Sequence, residues 1–146
     1  MAGKEVKIRP MEPEDISGIL DVDRKISSVA RALTYRDLAR EVLGGEIDMS
    51  FVAEVDNQFV GFVMAYLTYV REQISEVCVI KIFGVDPTYQ KQGIASKLIQ
   101  ALLDKCRSKK VKLIRIMIDE QDNELQGFFK RLGFDRGPYI DYSKTV

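Results

Sequence analysis

One stretch of this chain, a strand that leads through a polar loop into a helix, constrains the possible fold more than any other part. Glu76 to Val85 is an apolar run typical of a strand, and Asp86-Pro87 marks its end. From Gly93 to Arg107, apolar residues recur at helical spacing. The loop Gln90-Lys91-Gln92-Gly93-Ile94-Ala95 therefore joins a buried strand to the first turn of an amphipathic helix.

The start of this helix is a candidate site for phosphate oxygens. The first turn of a helix leaves backbone N–H groups without partners inside the helix, and the helix dipole favours an anion there. Gly93 and Ala95 are small, so a phosphate could approach the backbone closely. Further donors could come from Ser96, Gln90, Lys91 and Gln92. From the residues alone, an anion site and an ordinary helix start that needs a glycine both remain open.

The remaining segments predict a mixed α/β (α+β) fold in one domain, residues 1–146. Further strands are expected at Lys7 to Arg9, Ser50 to Val55, Phe59 to Tyr69, Val111 to Ile118 and, closing the sheet, Tyr139 to Thr145. Further helices are expected after Glu12-Pro13, from Tyr35 to Leu43, and around Leu125 to Leu132. The polar turn Asp56-Asn57-Gln58 predicts an antiparallel hairpin between its flanking strands.

The composition excludes several classes of chemistry. The 146 residues include no histidine, which excludes histidine-based triads and proton shuttles and the common zinc sites, so no metal is expected. The 22 basic and 22 acidic residues balance, so we expect no nucleic-acid or membrane partner. Cys78 and Cys106 fit a reduced compartment and a packing role. Without a signal-like start or a spanning apolar run, the sequence predicts a cytoplasmic protein.

The loop and two other segments resemble one known family. Gln90-x-x-Gly93-x-Ala95 resembles the (Gln/Arg)-x-x-Gly-x-(Gly/Ala) motif of the GNAT acetyltransferase superfamily. Ile8-Arg9-Pro10 with Glu14-Asp15 resembles the opening strand and helix of that family. Phe128-Phe129-Lys130-Arg131-Leu132-Gly133-Phe134 resembles its Phe-Tyr-x-x-Leu-Gly-Phe signature. The likeness extends over nearly the whole chain.

The resemblance implies the fold and the cofactor site. It implies a predominantly antiparallel, twisted sheet of about six to seven strands flanked by about four helices, with two central parallel strands splayed apart. Acetyl-CoA would bind as the acetyl donor, with its pantetheine arm along the backbone of Phe83, Gly84 and Val85. Its pyrophosphate would lie on the amides from Gln90 to Ser96, a stretch that includes Lys91, Gln92, Gly93, Ile94 and Ala95. Asn123 and Phe129 would flank the thioester.

The positions that carry proton transfer in the family differ in this chain. The usual general acid is a tyrosine, and the matching residue here is Phe129. The positions matched to the usual bases are Val79 and Met117, which are both apolar. Glu76 is a candidate base, and Tyr139 and Tyr142 are candidate acids. Each of the three could equally be a solvated or packing residue.

Two functions remain open at this level. The first is an N-acetyltransferase whose acceptor is a primary amine on a lysine, a peptide N-terminus, a polyamine or another small molecule. The second is a catalytically weak acyl-CoA sensor or interaction module with the same fold. Acidic residues around the acceptor opening would favour a cationic acceptor: Glu76, Asp119, Glu120, Asp122 and Asp141. Many members of the family dimerise, so a homodimer is possible.

Overall fold

The computed structural model describes residues 5–26, 37, 40, 49–70 and 75–146, with the backbone alone at residues 69, 70 and 75. Five strands form one sheet, and they follow the order of the chain: β1 (Val6–Pro10), β2 (Phe51–Val55), β3 (Gln58–Val70), β4 (Ser75–Val85) and β5 (Leu113–Ile116). The α-helices are α1 (Ile16–Ile26), α2 (Ile94–Ser108) and α3 (Asn123–Arg131). No helix within these ranges has the length and apolar character needed to cross a membrane.

The strand and helix counts correct the expectation from sequence. The described residues form five strands and three α-helices, fewer than the six to seven strands and four helices expected. The closing strand expected from Tyr139 to Thr145 is wrong, because the chain after α3 has no regular secondary structure. The side chains of Ile140 and Tyr142 are 73% and 87% exposed, so this tail buries no apolar face that would hold it on the sheet. Apart from residues 37 and 40, the helix expected from Tyr35 to Leu43 lies outside the described residues.

Three of the four strand pairs are antiparallel, and only the pair of β4 and β5 is parallel. The hairpin between β2 and β3 confirms the prediction from the turn. Asp56 and Asn57 both have positive φ, 52° and 63°, as a tight two-residue hairpin turn requires. The predominantly antiparallel character of the sheet is therefore as expected.

The sheet separates two apolar layers. The α2 and α3 face holds the larger layer, in which Cys78 and Ile80 of β4 pack in one cluster with Leu98. The α1 face holds the smaller layer, in which Phe62 packs in one cluster with Ile19. Both cysteines are free and buried in the larger layer, in keeping with a packing role. The hydrogen bond that the Cys78 thiol donates to Cys106, together with burial, raises the pKa of Cys78.

An ion-pair network fixes the start of α1 against the sheet. Arg9 on β1 donates from Nη2 and Nη1 to the two carboxylate oxygens of Asp15, at 2.7 and 2.9 Å, and from Nε to Glu54 at 3.0 Å. Asp15 also accepts the Glu12 amide at 2.7 Å. Burial opposes the charge on Asp15, but the Arg9 and Glu12 hydrogen bonds outweigh it and hold the pKa of Asp15 below its ordinary value.

Candidate functional site

β4 and β5 separate halfway along β4. Their ladder pairs Val77–Ile80 with Leu113–Ile116 and then ends, whereas β4 continues to Val85. The pairing of β3 with β4 shifts register at this point and leaves Lys81 as a bulged residue. A bulge bends the strand that carries it, so β4 turns away where its ladder with β5 ends. We call the space beside residues 81–85, on the side toward β5, the gap.

The backbone of β4 directs a donor into the gap. Asp86 N donates to Val60 O at 2.8 Å, and these residues are opposite each other when the β3–β4 register is continued. Because hydrogen-bonded and non-bonded pairs alternate in an antiparallel ladder, the N–H and C=O of Val85 point away from β3, as do those of Phe83. The Val85 carbonyl accepts a hydrogen bond from Gln90 Nε2 at 3.0 Å. The Val85 N–H therefore faces the gap.

The loop after β4 leaves an open space in front of Gly93. A 3₁₀ turn, Pro87–Tyr89, starts the loop, and Asp86 Oδ1 caps this turn by accepting Thr88 N at 2.9 Å. Lys91 and Gly93 then adopt left-handed backbone conformations, with φ of 62° and 81°. A Cβ atom at Gly93 would meet no protein atom within 4 Å. The space that a side chain would take there is therefore available to a ligand.

The first turn of α2 presents backbone donors beside this space. The first hydrogen bond onto the helix runs from Lys97 N to Gly93 O at 3.1 Å. Within the described ranges, the amides of Ile94, Ala95 and Ser96 have no acceptor. Such amides, with the helix dipole behind them, favour phosphate oxygens. Three donors next to a position without a Cβ fit the diphosphate of a CoA molecule.

The side chains of the loop differ in their exposure. Gln90, Lys91 and Gln92 are exposed, whereas Ile94 is buried with only 1% exposed. Ile94 packs in the larger apolar layer, so only its amide can reach a ligand. Ala95 and Ser96 are half-buried at the helix start.

Lys25 at the end of α1 holds the carboxylate that precedes the loop. Its Nζ lies 2.8 Å from Asp86 Oδ2, while the other Asp86 oxygen caps the Pro87–Tyr89 turn. Asp86 is only 5% exposed. The Lys25 hydrogen bond outweighs burial and lowers the pKa of Asp86, and the same contact raises the pKa of Lys25. An ionised Asp86 thereby joins α1 to the first residues of the loop.

Four phenylalanines fill the α2 and α3 face next to the gap. The Phe129 ring makes edge-to-face contacts with Phe83, Phe128 and Phe134, at centroid distances of 5.6, 5.1 and 5.0 Å. Phe83 and Phe128 stack at 6.1 Å. Phe129 is 2% exposed, whereas Phe128 is half-buried. At the position where the family signature has a tyrosine, this chain therefore has a core ring, and the neighbouring Phe128 has the more accessible ring.

The other predicted site residues are spread over the molecule. Asn123 is the first residue of α3 and is exposed. Glu76 lies near the start of β4, four residues before the ladder with β5 ends at Ile80. Tyr139 and Tyr142 lie in the tail and are 55% and 87% exposed. Among the predicted site residues that the structure describes, Phe83, Gly84, Val85 and the residues from Gln90 to Ser96 lie at the gap or the loop that follows it, and Phe129 packs on Phe83 beside the gap.

Two of the acidic residues expected around the acceptor opening accept hydrogen bonds within local turns. Asp122 Oδ1 caps α3 by accepting Leu125 N at 3.0 Å, and Asp119 Oδ1 accepts Gln121 N at 2.8 Å. Glu76 lies at the other end of the β4–β5 ladder. The attraction of a cationic acceptor by these acidic residues stays a prediction.

Sequence reasoning missed two pairs of residues near the site. One is Lys25 with Asp86, whose contact spans 61 positions and leaves no local signal. The other is Arg115 with Tyr139, whose ring centroid lies 5.5 Å from the guanidinium carbon. Arg115 had a usable signal, because it is a charged residue in a strand that is otherwise nearly all apolar. Within the described ranges, no three histidine, cysteine or carboxylate side chains are grouped to hold a metal ion.

Comparison with known proteins agrees with this geometry. The chain is 28% identical over 89 residues to an uncharacterized N-acetyltransferase of Methanocaldococcus jannaschii, a match that covers 60% of this chain and 39% of the relative. The match thus spans less than half of that protein. An aminoglycoside N-acetyltransferase, AAC(6')-Iy, solved in complex with CoA, superposes with a TM-score of 0.80 at 20% identity, over 99% of this chain and 97% of the other.

A second structure shows the same fold. A possible acetyltransferase from Clostridium difficile 630 superposes with a TM-score of 0.79 at 16% identity, over 97% of both chains. The sequence also matches the Acetyltransferase (GNAT) family over residues 20–134, a range that includes β4, β5, the loop and α3. The family expected from the loop motif is therefore confirmed, and this chain belongs to the Acetyltransferase (GNAT) family.

Proposed function

We propose that this protein transfers an acetyl group from acetyl-CoA to a primary amine by direct attack, with both substrates bound together. One observation supports this most strongly: the amides of Ile94, Ala95 and Ser96 have no acceptor among the described residues and lie beside the open space at Gly93. That arrangement fits the diphosphate of CoA. The neighbours that contain CoA have the same fold, which supports the choice of ligand.

The rest of the cofactor, its pantetheine arm and thioester, would lie in the gap. A pantetheine arm beside β4 would add to the sheet edge much as an extra strand does. The Val85 N–H faces this space, while Gln90 keeps the Val85 carbonyl occupied. The Phe83 ring, stacked on Phe128, closes the α2 and α3 face of the gap. The thioester would lie near Ile80 and Ile116, where the two strands come together.

The residues of this chain would contribute to acetyl transfer mainly by positioning the two substrates. Bound acetyl-CoA supplies an acetyl thioester, which an amine can attack without a protein nucleophile. Placing two reactants in line can supply roughly 7–11 kcal/mol of the barrier in favourable cases. A backbone amide such as that of Val85 can stabilise charge on an oxygen directed toward it. Phe129 donates no proton, so Glu76, Tyr139 and Tyr142 are the candidate acids and bases from sequence. The ring of the exposed Tyr139 contacts Arg115 of β5.

The acceptor belongs to the broad class of primary amines, on a small molecule or on a protein. Two solved neighbours were crystallised with sisomicin and with a CoA-linked neamine analogue, which supports an amine acceptor here. The free thiols of Cys78 and Cys106 support a cytoplasmic location. The same proposal includes a single acetyltransferase domain, residues 1–146, and the association of two chains into a homodimer.

Two measurements test the proposed function. Calorimetry with acetyl-CoA should show saturable binding to one site per chain, and thiol release should depend on an added amine. The panel would include a lysine peptide, a peptide N-terminus, a polyamine and an amino acid. Binding without amine-dependent release from any of them would favour the sensor, for which the buried Phe129 is the supporting observation. No binding at all would contradict both functions.

A further inference from the structure

The two faces of the gap differ in how open they are. On the α2 and α3 face, the aromatic cluster of Phe83, Phe128 and Phe129 covers the gap. On the α1 face, Tyr66 of β3 is 42% exposed, and Met117, which follows β5, is 79% exposed. If the thioester lies in the gap as proposed above, the acceptor amine has its open approach from the α1 face.

A row of three register partners crosses the sheet on that face. Tyr66 pairs with Val79, and Val79 pairs with Arg115. Partners that stand opposite each other in a ladder direct their side chains to the same face. Ile114 and Ile116 pack in the α2 layer, so by alternation Arg115 points to the α1 face. This row lies one residue before the ladder ends, which is about 3.3 Å along the strand.

Arg115 is a half-buried cation without a carboxylate partner in the described part of the chain. Its recorded contact is with the ring of Tyr139, 5.5 Å from the guanidinium carbon to the ring centroid. Arg9, in contrast, contacts the carboxylates of both Asp15 and Glu54. A ring on one side of a guanidinium limits its motion and leaves its N–H groups directed outward in the plane.

The tail brings this ring to Arg115 from the other face of the sheet. Phe134 packs on Phe129 in the α2 and α3 layer, and Tyr139 contacts Arg115 on the α1 face. The four residues between them therefore pass around the edge of β5. This path places Tyr139 beside the acceptor's approach and explains why its side chain stays outside the core.

We propose that Arg115 selects the acceptor: it binds a carboxylate on the same small molecule as the attacking amine, and Tyr139 positions its guanidinium. The acceptor class is then an amino carboxylate, with the two groups separated by a few bonds. This inference rests on the proposed function. It differs from the cationic acceptor that the acidic residues suggested, because Asp119 and Asp122 accept hydrogen bonds within local turns, whereas Arg115 pairs with Val79 one residue before the β4–β5 ladder ends.

Matched acceptors test the inference in the wild-type protein. We would compare initial rates with L-alanine, L-alaninamide, phosphoethanolamine and putrescine at saturating acetyl-CoA. L-Alanine should have at least a tenfold higher kcat/KM than L-alaninamide, since a hydrogen-bonded charged group typically contributes that much. Equal rates for the two, or a preference for putrescine, would overturn the proposal. A preference for phosphoethanolamine would also overturn it, because the anion would then be a phosphate.

Variants separate Arg115 from the rest of the site. Arg115→Met should raise the KM for L-alanine by about tenfold or more, with little change in kcat, and leave the KM for L-alaninamide unchanged. Tyr139→Leu should raise the KM for L-alanine a few fold, the usual scale of a cation–π contact, whereas Tyr139→Phe, which keeps the ring, should keep that KM. Equal losses for both acceptors, or weaker acetyl-CoA binding in Arg115→Met, would assign Arg115 a structural or cofactor role instead.

A binding experiment distinguishes this inference from the proposed function. Calorimetry with L-alanine and CoA-saturated protein should show binding that Arg115→Met abolishes and Arg115→Lys weakens. If this binding is found but no acetyl group is transferred, the proposed function fails and the assignment of Arg115 stands. If other amines are acetylated and L-alanine does not bind, the function stands and the assignment fails.

Discussion

The proposed cofactor side and the proposed acceptor side of the gap are built from different kinds of group. On the cofactor side, the donors are main-chain amides at Val85 and from Ile94 to Ser96. The absence of a side chain at Gly93 leaves space for a ligand there. On the acceptor side, the candidates are side chains, Tyr66, Arg115 and Tyr139, which come from two strands and the tail. One side depends on backbone conformation, and the other depends on which distant residues meet.

Two segments of this chain also differ in how they match the motifs that they resemble. The loop keeps the spacing of the family motif, since a left-handed glycine and a helix start set its shape. The acid position has changed to Phe129, which has become part of an aromatic cluster. The loop thus keeps its motif through backbone conformation, whereas the signature differs at a buried side chain.

The largest expected effect tests the cofactor side. Gly93→Val places a branched side chain in the open space assigned to the diphosphate. The affinity for acetyl-CoA should fall by about tenfold to hundredfold, as expected when one charge-assisted hydrogen bond is lost. Calorimetric titration with acetyl-CoA measures this.

Gly133→Val is the matched control. Gly133 also has a positive φ, 91°, and no atom within 4 Å of a Cβ, but it follows α3. Both variants should lose about 1–3 kcal/mol of unfolding free energy through backbone strain. Only Gly93→Val should lose affinity, and equal losses in the two would show that strain alone weakens binding.

A second comparison tests the aromatic face. The family signature alone would favour a gain of turnover in Phe129→Tyr, but the ring is buried among three others. We expect the added hydroxyl to remain without a partner and to destabilise the fold by about 1–3 kcal/mol without raising turnover. Phe128→Tyr, at the half-buried neighbour, should destabilise less. Urea unfolding and thiol release measure the two effects, and a faster Phe129→Tyr enzyme would show that this ring faces the thioester.

A smaller effect is expected where α1 meets the loop. Asp86→Asn keeps an acceptor for Thr88 N but loses the charge that pairs with Lys25. It should destabilise the protein by about 1 kcal/mol and raise the KM for acetyl-CoA more than it changes kcat. Lys25→Met should act in the same direction, and the double variant should lose less than the sum of the two. Additive losses would mean that the contact does not couple α1 to the loop.

The smallest effect is a pH dependence in the acid range. The pKa values of Asp15 and Asp86 are lowered in the folded protein, so their ionised forms stabilise it above the unfolded value of about 4. That contribution is lost as the pH falls through the lowered pKa values. Urea unfolding between pH 7 and pH 2 should show stability falling below about pH 4, with a shallower fall in Asp15→Asn. An identical profile in that variant would contradict this origin of the acid loss.

The sequence by itself determined the family, the hairpin, the predominantly antiparallel sheet and the loop around Gly93. Each depends on local signals: turn residues such as Asp56-Asn57, the spacing of apolar residues, and a glycine ahead of a helix. Local signals decide backbone conformation, and the cofactor loop is made of backbone. The conformation of this loop could therefore be predicted from the sequence, and its binding of a cofactor stays a prediction.

The side chains that lie on the proposed acceptor side could be identified only from the tertiary structure. The tail has strand-forming residues, yet it adds no strand to the sheet, and its Tyr139 contacts Arg115. That outcome depends on where the chain leaves α3. Phe129 matches a catalytic position in sequence, but three rings from β4, α3 and the tail make it part of the core. Contacts between residues far apart in the chain depend on packing, for which a sequence pattern has no local signal.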